Sequence, residues 1–415
     1  MRNWSSLPSD PEKSLIGTSI GHFLNDGGNA VFPIIYPILI TSFAYSKLSI
    51  GILGAILSVS SIIASPLIGR SSDYSRGYLR LLPFGLIMIA IGIAGVAVSI
   101  PYVPNTLLFA VLIVFSLIAG FGGSFYHPLG SAVLNETWPV NGRGRAMGLN
   151  GSMGALGLLL FPIVTVELIV RFGMASVSFL ALVVVVLSAI LYLVMRNVAV
   201  LQRVSRQTTS DDSSVETRKA GVPLRIVLPT VLALTLSAFF RNVLSAGVIQ
   251  FLPTYLTTVD KVSYSNVGFA VAAYSVAGLI GQPVFGSLSD RVGRRLLLGA
   301  TSLGVVGAVL LLVFVSSNFW LAELSLVLFG LCFYTGFPLL LGLANVIAPK
   351  GATTLSNSIV WGLGTVSGAA VGPLIVGVLS GSAYLGSLSG AFVVLAGLGV
   401  IAVVFIPFIP KPRQM

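Results

Sequence analysis

Charged side chains are scarce in this sequence. Asp, Glu, Lys and Arg make up 8% of its 415 residues, while 55% of the residues are hydrophobic. A soluble domain carries roughly 25% charged residues, and so low a content cannot cover a water-facing surface of this size. The composition therefore excludes an ordinary soluble protein.

Cysteine and histidine are scarcer still. The one cysteine, Cys332, excludes an intramolecular disulfide and a cysteine metal cluster. The two histidines show no metal-ligand spacing in the sequence, so we expect no metal site and no cofactor. A phosphate-binding G-x-x-x-x-G-K-S/T run is also missing, so nucleotide hydrolysis is not expected.

Long hydrophobic runs fill most of the chain. Each is long enough to cross a bilayer core, which needs about 20 helical residues. The runs predict an all-α polytopic membrane protein with twelve transmembrane helices, at 14–43, 48–71, 79–101, 106–135, 144–169, 174–195, 226–256, 264–288, 293–316, 319–347, 353–380 and 386–409.

Lysine and arginine are distributed unevenly around these spans. Of the 23, all but four lie on one side; Lys47, Arg171 and Lys261 lie on the other, and Arg241 lies inside a span. Because basic loops resist translocation, the rich side and both termini are predicted to be cytoplasmic. The net charge of +11 then reflects topology and not nucleic-acid binding. The expected location is the cytoplasmic membrane of a prokaryote.

A polar segment divides the chain near its middle. Residues 196–225 predict a cytoplasmic linker between one six-helix bundle at 1–195 and a second at 226–415. The segments 47–73 and 264–290 align without gaps at nine identical positions, more than shared hydrophobicity explains. The halves are therefore predicted to be parallel, pseudo-symmetric repeats with a central cleft, where solute sites of such folds lie.

The repeat supplies a register between the halves. Pro37 aligns with Pro253, which makes Asn25 and Arg241 equivalent and places Asp26 next to that position. Similar alignments pair Gly51 with Gly268, Gly120 with Gly330, Pro128 with Pro338, Gly157 with Gly368, and Pro162 with Pro373.

A loop motif follows the predicted eighth span. In the first half the equivalent place keeps Gly69 and Asp73 but departs downstream. A carboxylate there can sit near the positive N-terminus of a helix in the opposite half and latch the cytoplasmic gate; a plain basic loop is the alternative. The second-half pattern G-x-x-x-D-R-x-G-R-R is formed by Gly286, Asp290, Arg291, Gly293, Arg294 and Arg295. It resembles the loop motif of the major facilitator superfamily, and the resemblance covers essentially the whole chain.

The first half shows a narrower resemblance. Its motifs are His22-x-x-Asn25-Asp26, Pro33-x-x-Tyr36-Pro37 and Phe125-Tyr126-His127-Pro128. They are similar to those of the fosmidomycin-resistance-like exporters within the superfamily. The resemblance implies an antiporter-like exporter, but it predicts the substrate poorly because sites change on a constant scaffold.

Charged groups deep in a bilayer are costly and usually functional. Asp26 and Arg241 fall near the middle of their spans, and His22 lies one turn before Asp26 on the same helix face. Asp26 and His22 are therefore predicted to carry a proton, with a structural hydrogen-bonded cluster as the alternative. For Arg241, binding of an anionic solute and neutralisation of Asp26 are equally favoured.

Polar and aromatic side chains at cleft depth complete the predicted substrate site. His127 precedes Pro128, whose missing N–H frees a backbone carbonyl and bends the helix. The predicted substrate-binding residues, beside Arg241, are Asn25, Asn29, Tyr126, His127, Asn150, Tyr334 and Trp361, with Tyr274, Gln282 and Asn357 as further candidates.

The leading hypothesis is a secondary transporter that moves a small organic solute by alternating access, coupled to protons and acting as an exporter. Arg241 and the few acidic residues of the cleft favour an anionic or amphipathic solute, with a hydrophobic drug or a neutral metabolite as alternatives. A uniporter or anion exchanger on the same fold, a membrane-embedded enzyme and a non-transporting sensor are the alternatives. We expect no enzymatic activity, because duplicated bundles are not needed for chemistry at one site. The expected partners are the solute, protons and lipid, with no nucleic acid and no second subunit.

Overall fold

The computed structural model describes residues 9–75, 78–198, 223–315, 318–349, 352–382 and 386–410. Within these ranges every regular element is a helix, so the predicted all-α class is confirmed. The helices are α1 (Asp10–Phe43), α2 (Lys47–Ser75), α3 (Tyr78–Tyr102), α4 (Asn105–Gly123), α5 (Tyr126–Thr137), α6 (Val140–Phe172), α7 (Ser178–Met195), α8 (Leu224–Thr258), α9 (Tyr264–Val292), α10 (Arg294–Phe314), α11 (Phe319–Tyr334), α12 (Gly336–Ile347), α13 (Thr353–Ser358), α14 (Ser367–Ser380) and α15 (Leu388–Val404). A π-helical segment, Ile359–Val366, joins α13 to α14.

Ten helical segments in the described ranges are long and apolar enough to cross a membrane. They cover ten of the twelve predicted spans, with α4 continuing into α5 and α11 into α12. In α2 the apolar helical stretch is the shorter Lys47–Ile62. The helix α1 is continuous, but its apolar sequence is interrupted by polar residues that include His22, Asn25 and Asp26. The count of twelve therefore stays a prediction for these two helices.

Two of the predicted spans are broken at equivalent places. The break between α4 and α5 lies at Ser124 and Phe125, and the break between α11 and α12 lies at Thr335. Each lies within four residues before a proline, Pro128 or Pro338, which has no N–H to bond the carbonyl one turn earlier. The helix is therefore interrupted near Pro128, and the second half repeats the interruption near Pro338.

Glycine contacts agree with the repeat register. A Cβ on Gly157 would collide with the carbonyl oxygen of Phe23, and one on Gly368 would collide with that of Phe239. Phe23 and Phe239 are equivalent in the Pro37–Pro253 alignment. The α1–α6 and α8–α14 contacts are therefore two copies of one close helix crossing, which only residues without a side chain permit.

The two halves meet tightly at one end of the molecule. A Cβ on Gly51 of α2 would lie 2.5 Å from the carbonyl oxygen of Pro373, and one on Gly268 of α9 would lie 2.9 Å from that of Pro162. Lys47 Nζ donates to the Ser380 carbonyl at 3.1 Å at the same end. We call the Gly51–Pro373 and Gly268–Pro162 crossings the seal.

Two glycines, on α6 and on the segment that precedes α14, have open space beside them. Among the described residues no heavy atom would lie within 4 Å of a Cβ on Gly148 of α6 or on Gly362 of the π-helical segment. The His127 side chain retains 38% of its accessible surface. The seal thus brings backbone atoms of the two halves close together, whereas His127 keeps solvent-accessible surface.

The predicted linker and much of the predicted gating motif fall outside the described residues. The surroundings of Gly69 and Gly286 and the side chains of Asp73 and Asp290 belong to this part, as do most of residues 196–225. In the remainder of the motif, Arg291 is exposed and Gly293 ends α9 with a φ of +98°. Arg294 donates to the Gly342 carbonyl at 3.1 Å and Arg295 to the Pro407 carbonyl at 2.8 Å. These two arginines join the start of α10 to other elements of the second half.

Candidate functional site

Asp26 lies at the centre of a polar cluster on α1. Its Oδ2 is 3.2 Å from His22 Nε2, and its Oδ1 is 3.6 Å from His127 Nε2. Asn25 Nδ2 donates to the same Oδ1 at 2.9 Å. The carboxylate keeps 19% of its accessible surface. We call His22, Asp26 and His127 the triad.

The orientation of the His22 ring follows from its other nitrogen. Nδ1 lies 2.9 Å from the Asn150 carbonyl oxygen, which can only accept, so Nδ1 carries a hydrogen. In a neutral ring Nε2 would then turn a lone pair toward the Asp26 carboxylate, which is unfavourable. A positive species between Nε2 and the carboxylate removes this repulsion, and a proton or another cation can supply it.

A second layer holds the triad in place. Tyr126 stacks on His22 with a ring-centroid distance of 4.7 Å and donates to the Thr18 carbonyl at 2.7 Å. Its hydroxyl also lies 2.8 Å from Asn150 Nδ2. Tyr126 and Asn150 are buried, and both contact the His22 ring, so they hold it in its orientation toward Asp26.

Gly154 of α6 leaves the space that His22 and Asp26 occupy. A Cβ at this position would lie 2.5 Å from His22 Nε2 and 2.8 Å from Asp26 Oδ2. We expect Gly154→Ala to separate the two side chains and to lower transport by roughly tenfold, since breaking a charge-assisted contact costs about 1.5–3 kcal/mol. The measurement is initial flux in proteoliposomes. Gly148→Ala, on the same helix but in open space, is the matched control, and equal flux of the two variants would contradict the prediction.

His127 connects the triad to the second half. Its ring packs edge to face on Trp361 at a centroid distance of 6.3 Å. Trp361 lies in the π-helical segment, a rare geometry that often marks functional sites. A movement of one half relative to the other therefore changes the surroundings of the triad directly.

A cavity of about 140 Å³ lies between the halves. Its lining carries no formal charge, and its polar side chains are Asn29, Gln250 and Tyr274. Tyr274 stacks on Tyr334 with the ring planes 9° apart. The other lining residues are Ala30, Pro33, Ile34, Leu158, Ile249, Pro253 and Val271. Side chains from both halves thus line a mainly apolar cavity.

Arg241 does not join this cavity or the triad. It is buried to 2% exposure, and its guanidinium donates to Ser302 Oγ at 2.8 Å and to the carbonyls of Cys332 and Phe333. Within the described residues no ion pair links it to Asp26. The predicted neutralisation of Asp26 is therefore wrong for this conformation, because the side chain turns to the broken α11–α12 region of its own half.

This placement makes Arg241 a support of the helix break. Replacing it with leucine removes a charged donor from two carbonyls, which keep the Thr335 hydroxyl and the Thr335 N–H as their partners. The hydrogen bonds of a charged donor contribute about 1.5–3 kcal/mol. We expect Arg241→Leu to lower the melting temperature by several degrees in detergent, measured by thermal unfolding, and to leave solute affinity less affected. An unchanged melting temperature with lost affinity for an anionic solute would instead favour the anion-binding interpretation.

The remaining candidates are spread over several environments. Asn29 donates to the Asn25 carbonyl at 2.8 Å and lines the cavity. Asn357 Nδ2 bonds Asn345 at 2.7 Å, so it is engaged within the second half. Gln282 lies near Gly151, since a Cβ on that glycine would be 3.1 Å from the Gln282 Oε1.

Sequence reasoning missed two features of the site. Gln250 was not a candidate, although the repeat register makes it equivalent to Ile34, and both line the cavity. The approach of His127 to His22 and Asp26 is the second feature, because the sequence showed no metal-ligand spacing that would bring these side chains together. One possible ligand atom from each member of the triad lies within 4.8 Å of the others, because α1 and α5 pack together.

Comparison with known families agrees with this architecture. The sequence model described as Major Facilitator Superfamily matches residues 18–360 and, in a second match, 232–414. The chain belongs to the major facilitator superfamily. The resemblance read from the loop motif is thereby confirmed, and the protein is an integral membrane protein of a transporter family.

Two bacterial superfamily proteins are similar along most of their length. The uncharacterized MFS-type transporter YfnC of Bacillus subtilis (strain 168) is 26% identical over 87% of this chain and 86% of its own. The fosmidomycin resistance protein of Escherichia coli (strain K12) is 24% identical over 85% of this chain and 84% of its own. The resemblance to that exporter group thus extends well beyond the first half.

A solved superfamily structure shares the fold. The crystal structure of a D-xylose-proton symporter superposes with a TM-score of 0.77 and covers 97% of this chain and 98% of its own. The sequence identity is 16%, so this likeness concerns the fold alone.

Proposed function

We propose that the protein is a secondary transporter that moves a small organic solute by alternating access, with protons carried at Asp26 and His22. The observation that carries this proposal is the triad, in which a largely buried carboxylate faces two imidazoles beside the cleft between the halves. Ionisable groups deep in a membrane protein typically mark ion or proton pathways. The His22 contact needs a cation between its two partners, and a proton is the simplest one.

The lining of the cavity supports an uncharged or amphipathic solute. Asn29, Gln250 and Tyr274 offer hydrogen bonds among apolar neighbours, and the lining contains no cationic side chain. An anionic solute would require Arg241 to leave its contacts with Ser302 and two carbonyls. We assign solute contact to Asn29, His127, Tyr334 and Trp361, and support of the triad to Asn25, Tyr126 and Asn150.

The charge distribution supports an orientation in the membrane and a location. With the basic side cytoplasmic, the seal faces outward and the triad is accessible from the cytoplasm. With this orientation the protein would be inward-open in a prokaryotic cytoplasmic membrane, with both termini inside. We propose further that it is a monomer and an exporter. The name of the fosmidomycin resistance protein supports export. Asp73 and Asp290 are proposed to latch the cytoplasmic gate when it closes.

A two-stage experiment tests this function. A thermal-shift screen of the purified protein against carboxylates, phosphonates, sugars and lipophilic cations first identifies a solute. We expect an uncharged or amphipathic compound to stabilise the protein most. Flux of that solute in proteoliposomes should then follow an imposed pH gradient. Flux that ignores the gradient but shows counterflow would replace proton coupling by uniport or exchange, and specific binding without flux would indicate a sensor.

A further inference from the structure

We propose that the triad is also a binding site for a divalent transition-metal ion of the Zn²⁺ type. His22 and His127 would each supply Nε2, and Asp26 would supply one carboxylate oxygen. Two imidazoles and a carboxylate suit Zn²⁺, Co²⁺ or Ni²⁺, whereas Mg²⁺ and Ca²⁺ prefer oxygen ligands alone. The site would share its ligand atoms with the proposed proton pathway, but metal binding does not depend on transport.

The spacing of the three groups fits a small metal ion. Ligands about 2.0–2.1 Å from a tetrahedral Zn²⁺ are separated from one another by roughly 3.3 Å. His22 Nε2 lies 3.2 Å from Asp26 Oδ2 and His127 Nε2 lies 3.6 Å from Asp26 Oδ1, so each imidazole faces a different oxygen of the carboxylate, and either oxygen can be the ligand. The three ligand atoms lie within 4.8 Å of one another, so a closure of about 1.5 Å or less would complete the set.

The neighbours of the triad have the form of a metal site's outer shell. A metal-binding histidine usually donates its other ring N–H to a carbonyl, and His22 Nδ1 lies 2.9 Å from the Asn150 carbonyl oxygen. This bond leaves the Nε2 lone pair directed at the place that the metal would take. Asp26 accepts a hydrogen bond from Asn25 at 2.9 Å, which orients the carboxylate.

The triad is accessible from the cleft, and its side chains are held in place. His127 is 38% exposed, so an ion can enter from the cleft and keep a water or solute atom as its fourth ligand. Helices α1 and α5 hold the groups on opposite sides, and Tyr126 stacking restrains the His22 ring. The triad is therefore prearranged, and little ordering is needed when a metal binds.

The chain offers a clean background for the test. It contains two histidines, both in the triad, and one cysteine, so other strong transition-metal ligands are scarce. The full-length protein is purified without a histidine tag, stripped of metal and titrated with Co²⁺, followed by displacement with Zn²⁺. We expect one equivalent per chain, with visible absorption bands of four- or five-coordinate Co²⁺ that Zn²⁺ abolishes.

Three variants decide whether the triad is the site. His127→Gln and Asp26→Asn should each lower the metal affinity at least about tenfold, since even outer-shell changes cost 10–100-fold. Cys332→Ser is the control and should bind as the parent does. No saturable binding, binding that both triad variants retain, or binding lost in Cys332→Ser would each overturn the proposal. Solute flux in metal-free buffer is measured separately, so failure of metal binding leaves the transport proposal standing.

Discussion

Asp26→Asn is expected to lower pH-driven transport strongly. The amide keeps the shape of the carboxylate but loses the charge that faces His22 at 3.2 Å and His127 at 3.6 Å. A hydrogen bond to a charged group is worth about 1.5–3 kcal/mol, so the loss corresponds to a roughly 10–100-fold lower rate of gradient-driven flux. The measurement is solute movement against its gradient in proteoliposomes with an imposed pH difference.

A matched carboxylate elsewhere provides the control. Glu167 pairs with Arg171 at 2.7 Å on an exposed part of α6, where an ion pair contributes about 0–1 kcal/mol. Glu167→Gln should therefore transport like the parent. Gradient-driven flux that survives Asp26→Asn would exclude this residue as the proton carrier. Loss of flux in both variants would point to a general effect of the substitutions on the membrane-embedded protein.

Gly51→Leu is expected to open the seal and stop the transport cycle. The nearest atoms to a Cβ at this position are backbone atoms, the Pro373 carbonyl oxygen at 2.5 Å and the Gly377 Cα at 3.2 Å, which cannot rotate away. Overpacking costs about 1–3 kcal/mol, enough to shift the closed–open equilibrium by roughly 5–150-fold. Gly268→Leu, the equivalent position in the repeat, should act in the same way.

Cysteine labelling measures this shift. In a Cys332→Ser background, Ala30→Cys places a thiol in the cavity lining, and an impermeant maleimide is added on the seal side. Labelling should rise in the Gly51→Leu protein and stay low with Gly307→Leu, where no described heavy atom would lie within 4 Å of the Cβ. If transport and labelling in Gly51→Leu match those of the Gly307→Leu control, the Gly51–Pro373 crossing is not a moving gate.

Local patterns in the sequence were enough to predict much of the fold and part of the candidate site. The scarcity of charge and the long apolar runs predicted a helical membrane protein, because a bilayer requires both. Gap-free alignment of the halves predicted which glycines and prolines are equivalent, and the contacts of Gly157 and Gly368 agree with that register. The spacing of His22 and Asp26 predicted their contact, since helix geometry alone brings side chains at i and i+4 together.

Contacts between distant segments were decided by the tertiary structure. His127 reaches Asp26 because α5 packs on α1, and no periodicity within either helix specifies which face of another helix it will meet. Arg241 has the depth and register of a partner for Asp26, yet the carbonyls freed at the α11–α12 break bind it instead. The sequence by itself determined the helices, the repeat and the candidate charges. Only packing decided which charges meet, because each helix's rotation and tilt depend on all its neighbours together.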